Sequence, residues 1–81
     1  TGPGVTRFAP GDRVACGGSS ANHSEIVCVP ENLVVHAPAA MDLRHASFAT
    51  LGSIAMQGVR RAQPEFGDNA VVLGLGLVGQ L

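Results

Sequence analysis

AVVLGLGLVGQL, residues 70–81, places an apolar run directly before three glycines, Gly74, Gly76 and Gly79. These glycines have the spacing G-x-G-x-x-G, and the preceding residues NAVVL are typical of a buried β-strand. A strand, this spacing and the beginning of a helix together form the pattern of a dinucleotide-binding turn. The alternative is a strand end at which glycine supplies an ordinary turn, and the rest of the chain has to distinguish the two.

Each position of the pattern has a specific physical role in the dinucleotide interpretation. Gly74 would make the tight turn after the strand, Gly76 would let the backbone approach a pyrophosphate, and Gly79 would let the new helix pack against the strand. Leu77 and Val78 would present backbone N–H groups at the N-terminus of that helix, where an anion is favoured. The chain contains no Lys, which excludes a P-loop with its phosphate-binding lysine.

The composition limits the size of the domain and the kinds of partner. A chain of 81 residues, 46% hydrophobic but only 4% aromatic, allows one small domain with a core of Val, Leu, Ala and Ile. Its net charge of −1 comes from scattered Arg and acidic residues, so we expect no nucleic-acid partner and no membrane partner. The apolar stretch 70–79 is about half of the roughly 20 residues that a spanning helix needs. No export signal is visible, and the two cysteines are consistent with a reducing, cytoplasmic setting.

The first 38 residues have the pattern of β-strands and turns. Proline and glycine punctuate the sequence, and short strands are predicted at Arg13–Cys16, Glu25–Val29 and Leu33–His36. The second of these has apolar residues on both faces, so it is predicted to be covered on both sides.

Two cysteines and one histidine in this region raise the possibility of a zinc site. Cys16, His23 and Cys28 lack the close paired spacing of structural zinc ligands and have no clear fourth ligand. We therefore predict that both cysteines are small buried side chains on strands.

After the predicted strands, the apolar residues recur with the spacing of a helix. Asp42 is suited to cap a helix, and the stretch from Leu43 to Gln63 is predicted to form two helical pieces with a break near Gly52. Its apolar residues are predicted to pack in the core: Leu51, Ile54, Met56 and Val59.

The remaining polar residues favour structural roles. Asp12 and Asp68 each follow a glycine in a turn, where a short acid satisfies local backbone donors. His36 and His45 are more typical of solvated or capping histidines than of catalytic bases. Arg60 and Arg61, near the predicted helix end, complement the helix dipole. No residue is predicted to be catalytic and none to bind metal.

Taken in order, FAPGDRVA, ANHSEIVCVPENLVVHAP and ASFATLGSIAMQGVRRAQPEFGDNAVVLGLGLVGQL resemble the middle of a medium-chain, zinc-type alcohol dehydrogenase. The resemblance covers nearly the whole chain. It implies a mixed α/β fold in which residues 1–38 are the C-terminal part of a GroES-like β-barrel catalytic domain. Residues 39–81 would be linking helices and the start of a truncated Rossmann domain. The stretch FATLGSIAMQGVR also resembles two-part oxidoreductases that carry a glucose-fructose or inositol dehydrogenase-like half.

The resemblance implies a function for the parent enzyme. That enzyme would transfer a hydride between an alcohol or sugar-type substrate and NAD or NADP, as a homo-oligomer, while the 81 residues alone would be inactive. Gly74, Gly76, Leu77, Val78 and Gly79 would contact the cofactor's pyrophosphate. Many family members carry a zinc-ligating cysteine where this chain has ATLG, residues 49–52, which leaves a catalytic zinc uncertain. The alternative function is a small β-rich, non-catalytic binding or interaction module.

Overall fold

The computed structural model describes all 81 residues and divides them into two compact units, Thr1–Ser47 and Phe48–Leu81. The chain contains both strands and helices, so it is a small mixed α/β protein. The compact units differ from the predicted domains 1–38 and 39–81, which rest on the family resemblance and stay a prediction.

A two-stranded antiparallel sheet organises the first unit. Strand β1 (Val14–Cys16) pairs with strand β2 (Val34–His36), with Ala15 opposite Val35 at the centre of the ladder. Two further backbone bonds extend the pairing, from the Ala37 N–H to the Arg13 carbonyl at 2.8 Å and from the Gly17 N–H to the Leu33 carbonyl at 3.0 Å. Both strands lie within the ranges predicted from the sequence.

A short helix follows the sheet and contains the one buried side chain. Helix α1 (Leu43–Ala46) is capped by Asp42, whose carboxylate accepts a bond from the Arg44 N–H at 2.8 Å. The cap is the one predicted, and it satisfies a donor that the helix itself leaves free. Helix α1 packs against β1, and Ala46 is 6% exposed.

Aspartates fix two turns of similar sequence, one in each unit. In APGD, residues 9–12, the Asp12 carboxylate accepts from the Ala9 N–H at 2.8 Å, while the Asp12 N–H donates to the Ala9 carbonyl at 3.1 Å. In EFGD, residues 65–68, Asp68 and Glu65 make the same pair of bonds at 2.8 and 3.1 Å. The local role predicted for these acids is confirmed.

Helix α2 (Ala49–Ala62) is the longest element of the second unit. It ends where Gln63 adopts a left-handed conformation before Pro64, and Arg60 and Arg61 lie in its last turn, as predicted. The predicted break near Gly52 is wrong, because the Gly52 N–H donates a helical bond to the Phe48 carbonyl at 2.7 Å. The helical residues are instead interrupted at Ser47 and Phe48.

The position of this interruption has a local cause. The Ser47 hydroxyl donates to the Arg44 carbonyl at 2.7 Å, and serine side chains of this kind compete with the helical backbone pattern. Glycine inside a helix costs only about 1 kcal/mol relative to Ala. Helix α2 therefore tolerates both Gly52 and Gly58.

Two predicted strands are absent. Glu25–Val29 makes no ladder, and Ile26 is 90% exposed. The stretch 69–73 before the glycines also makes no ladder, and its apolar side chains are exposed. Apolar alternation alone does not form a strand, because each strand requires a partner for its backbone groups.

The predicted burial of several side chains is wrong for the same reason. Cys28 is exposed and lies outside any strand, whereas Cys16 lies on β1 and is half-buried. Leu51 is half-buried, while Ile54, Met56 and Val59 are more than half exposed, so they do not form a core. No helix of the chain is both long enough and apolar enough to cross a membrane.

Candidate functional site

The three glycines occupy a turn between an extended apolar stretch and helix α3 (Leu77–Gln80). Gly74 has φ +102°, in the region that favours glycine. Gly76 is the N-cap residue of α3 and has extended backbone, with φ −74° and ψ −177°. The turn and the helix therefore begin at the residues that the G-x-G-x-x-G pattern predicts.

The turn is held closed by bonds within residues 74–81. The Gln80 N–H donates to the Gly76 carbonyl at 3.1 Å, and the Gln80 side-chain amide donates to the Leu75 carbonyl at 2.6 Å. These two bonds bring one polar side chain back over the turn that precedes its own helix. The first amides of α3, at Leu77, Val78 and Gly79, have no helical partners, because the N-terminal amides of a helix have no preceding turn to bond.

Gly79 packs closely against the turn. A Cβ built at this position would overlap the carbonyl oxygen of Gly74 and lie 3.2 Å from the carbonyl carbon. It would also contact Val72 Cγ1 at 3.5 Å, an ordinary van der Waals distance. The sequence predicted that Gly79 lets the helix pack against a strand. No strand forms before the glycines, and Gly79 instead lies against the Gly74 carbonyl of the turn, where any side chain would disrupt the contact.

Gly76 differs from the other two glycines. Its φ is one that any residue adopts, and a Cβ at this position would meet nothing within 4 Å. An N-cap position itself favours Ser, Thr, Asp or Asn at least as strongly as Gly. Neither backbone conformation nor packing therefore accounts for glycine here, and the position faces open space.

An apolar groove adjoins the turn within the second unit. Its volume is about 740 Å³, and no charged or polar side chain lines it. One wall comes from α2 and includes Leu51, Ala55 and Val59, and the other comes from residues between Val72 and Leu81. Such a groove can take the apolar part of a ligand, but only backbone N–H groups are available for an anionic part.

His36 lies in a polar cluster within the first unit. Its Nε2 is 3.1 Å from the Arg7 carbonyl oxygen, and its ring lies 4.6 Å from the Phe8 ring between centroids. Because a carbonyl oxygen only accepts, Nε2 must carry the proton there and cannot act as a base. Nδ1 is 3.9 Å from the Asp12 carboxylate, too far for a hydrogen bond. The cluster links His36 on β2 to the segment that contains Arg7 and Phe8.

The metal-ligating side chains are dispersed. No group of three or more His, Cys, Asp or Glu side chains lies close enough to hold a metal ion. The two cysteines are not joined in a disulfide. No step of a mechanism is therefore assigned to zinc on these residues.

Comparison with protein-family models, with curated proteins and with solved structures finds no match for this chain. The family resemblance seen in the sequence stays a prediction.

Proposed function

We propose that this chain is part of an NAD(P)-dependent oxidoreductase and supplies the turn that binds the cofactor's pyrophosphate. The observation that carries the proposal is that the fold requires glycine at two of the three positions but not at the third. Gly74 is required by its positive φ and Gly79 by close packing, whereas nothing in the fold requires glycine at Gly76. A close-approaching ligand would require it, because a Cβ would occupy the space that the ligand needs.

The proposed role of the chain is to bind and orient the cofactor. The amides of Leu77, Val78 and Gly79 would donate to the pyrophosphate oxygens, and the carbonyl of Gly76 is already used by Gln80. The apolar groove beside the turn would exclude water from one side of the bound ligand. When bound, the nicotinamide supplies the hydride chemistry, and the substrate proposed for the parent is an alcohol or a sugar-type molecule. Two free thiols fit a cytoplasmic setting.

Nuclear magnetic resonance of the 81-residue chain tests this proposal, since it detects weak binding. NADH and NADPH should shift the amide resonances of Leu77, Val78 and Gly79, with millimolar affinity, because four residues of helix give little preorganisation. Inorganic pyrophosphate should shift the same amides. Adenosine, which has no phosphate, should not.

A matched pair of variants separates ligand approach from folding. Gly76→Val places a side chain in open space at the turn and should abolish the amide shifts without altering α3. Gly52→Val introduces the same side chain in α2, where a Cβ also meets nothing within 4 Å, and should leave the shifts unchanged. Equal shifts in wild type and Gly76→Val would refute the proposed role of the turn.

The alternative of a β-rich binding module receives little support from the fold. The two strands span only three residues each. That alternative predicts no preference of the turn for phosphate-bearing ligands, so the comparison of pyrophosphate with adenosine also tests it.

A further inference from the structure

The Gln80 side chain contacts the glycine turn from the last residue of helix α3. Its side-chain amide donates to the Leu75 carbonyl oxygen at 2.6 Å, while its backbone N–H donates to the Gly76 carbonyl at 3.1 Å. Leu75 lies between the first two glycines of the pattern. The backbone bond can form with any residue except proline at position 80, but the bond to Leu75 requires a side chain that reaches back and donates.

This side-chain bond fixes the direction of one peptide unit. The Leu75 carbonyl and the Gly76 N–H belong to the same peptide, which is trans and planar, so the two groups point in opposite directions. Because the Leu75 carbonyl points toward the Gln80 amide, the Gly76 N–H points away from it. That N–H makes no hydrogen bond to another group of the chain. It is therefore available to an acceptor on a ligand.

Glycine at position 76 leaves a second direction open to this peptide. Turning the peptide over exchanges the places of its carbonyl and its N–H, as between turns of types I and II, and takes the following residue to a positive φ. Gly76 has φ −74° in the structure, but glycine adopts positive φ about as readily. The local backbone therefore does not select the observed direction, whereas the Gln80 bond favours it.

We propose that Gln80 is a positioning residue, which holds the Leu75–Gly76 peptide so that its N–H, and not its carbonyl, faces the bound pyrophosphate. This inference rests on the proposed function of the turn. The Gly76 N–H joins the first amides of α3 as a donor to the anion. In the reversed peptide the Leu75 carbonyl would take that place, and its partial negative charge would repel the anion. Gln80 acts through the peptide and does not itself touch the ligand.

Gln80→Met tests the control of the peptide in the ligand-free chain, because Met is similar in length to Gln and cannot donate. Loss of a typical hydrogen bond changes the ratio of two populations by about two- to tenfold, so the reversed peptide should become more populated. The nuclear Overhauser effect between Leu75 Hα and the Gly76 N–H reports this change, since the distance between these protons depends on the direction of the peptide. Gln57→Met is the matched control, because Gln57 is an exposed glutamine within α2, and it should leave this signal unchanged.

A double variant separates control of the peptide from a general loosening of α3. Ala at position 76 disfavours positive φ by about five- to thirtyfold, and its Cβ meets nothing within 4 Å. Adding Gly76→Ala to the Gln80→Met chain should therefore restore the wild-type signal between residues 75 and 76, although the side-chain bond is still absent. A signal that Gln80→Met leaves unchanged, or that the double variant fails to restore, would overturn the proposal.

Titration with inorganic pyrophosphate, followed by the amide shifts, tests the consequence for the ligand. Gln80→Met should raise the dissociation constant by up to about tenfold, because only the fraction with the observed peptide direction binds. Gln57→Met should leave the dissociation constant unchanged. Equal affinity of wild type and Gln80→Met would overturn the role of Gln80 and leave the proposed function of the turn unaffected. If pyrophosphate shifted no amide in the wild type, the proposed function would be refuted, and the ligand role of Gln80 with it.

Discussion

Replacing Gly79 by Ala tests whether helix α3 packs as closely on the glycine turn as the structure shows. In a helix where the new Cβ meets no neighbouring atom, this change is favourable by about 1 kcal/mol, because Ala loses less backbone entropy than Gly. Here the new Cβ would overlap the Gly74 carbonyl oxygen. That oxygen belongs to the backbone and cannot rotate aside, so the helix or the turn must move.

The size of the effect follows from these two opposing terms. Overpacking of a close contact costs about 1–3 kcal/mol, against the gain of about 1 kcal/mol from helix propensity. We expect a net cost of up to about 2 kcal/mol to the packed form of α3, or a fall of roughly thirtyfold in its population relative to the detached form. Helix α3 has only four residues, so detachment from the turn is the least costly relief.

Chemical shifts measure this population residue by residue. Gly79→Ala should move the Cα shifts of residues 77–80 toward random-coil values, and the Gln80 side-chain amide should lose its bond to the Leu75 carbonyl. Gly58→Ala in α2 is the control, because a Cβ there meets nothing within 4 Å. It should increase helicity. If Gly79→Ala increased the helicity of α3 in the same way, the inferred close approach would be incorrect.

Three further predictions concern the backbone and the charges. Gly74→Ala forces a side chain into φ +102° at a cost of about 1–2 kcal/mol, and its Cα shift should show that the left-handed turn is lost. The Arg44 side chain lowers the pKa of the Asp42 carboxyl below its ordinary 3.8. The stabilising cap is therefore fully present above pH 3.8 and is lost as the pH falls through the lower folded value; the Asp42 carboxyl carbon should titrate below 3.8, and Arg44→Ala should raise its midpoint. Arg13 donates to two carbonyls within residues 39–41, at 2.6 Å each, so Arg13→Ala should speed exchange of the amides near this segment, whereas β1–β2 amides should change little.

The sequence predicted the features whose hydrogen bonds are local. Asp42 reaches an amide two residues away and Asp12 an amide three residues away, so the residue types alone indicate these bonds. The positive φ of Gly74 is likewise visible in the spacing of the glycines. Such bonds form within one turn of chain and depend little on the remainder of the fold.

The features that the sequence predicted wrongly depend on distant partners. Glu25–Val29 has the apolar pattern of a covered strand, but the chain provides neither a paired edge nor a covering layer for it. The exposure of Cys28 and Val59 has the same origin. Hydrophobic pattern indicates which side chains would gain from burial, and only tertiary contacts determine which of them are buried.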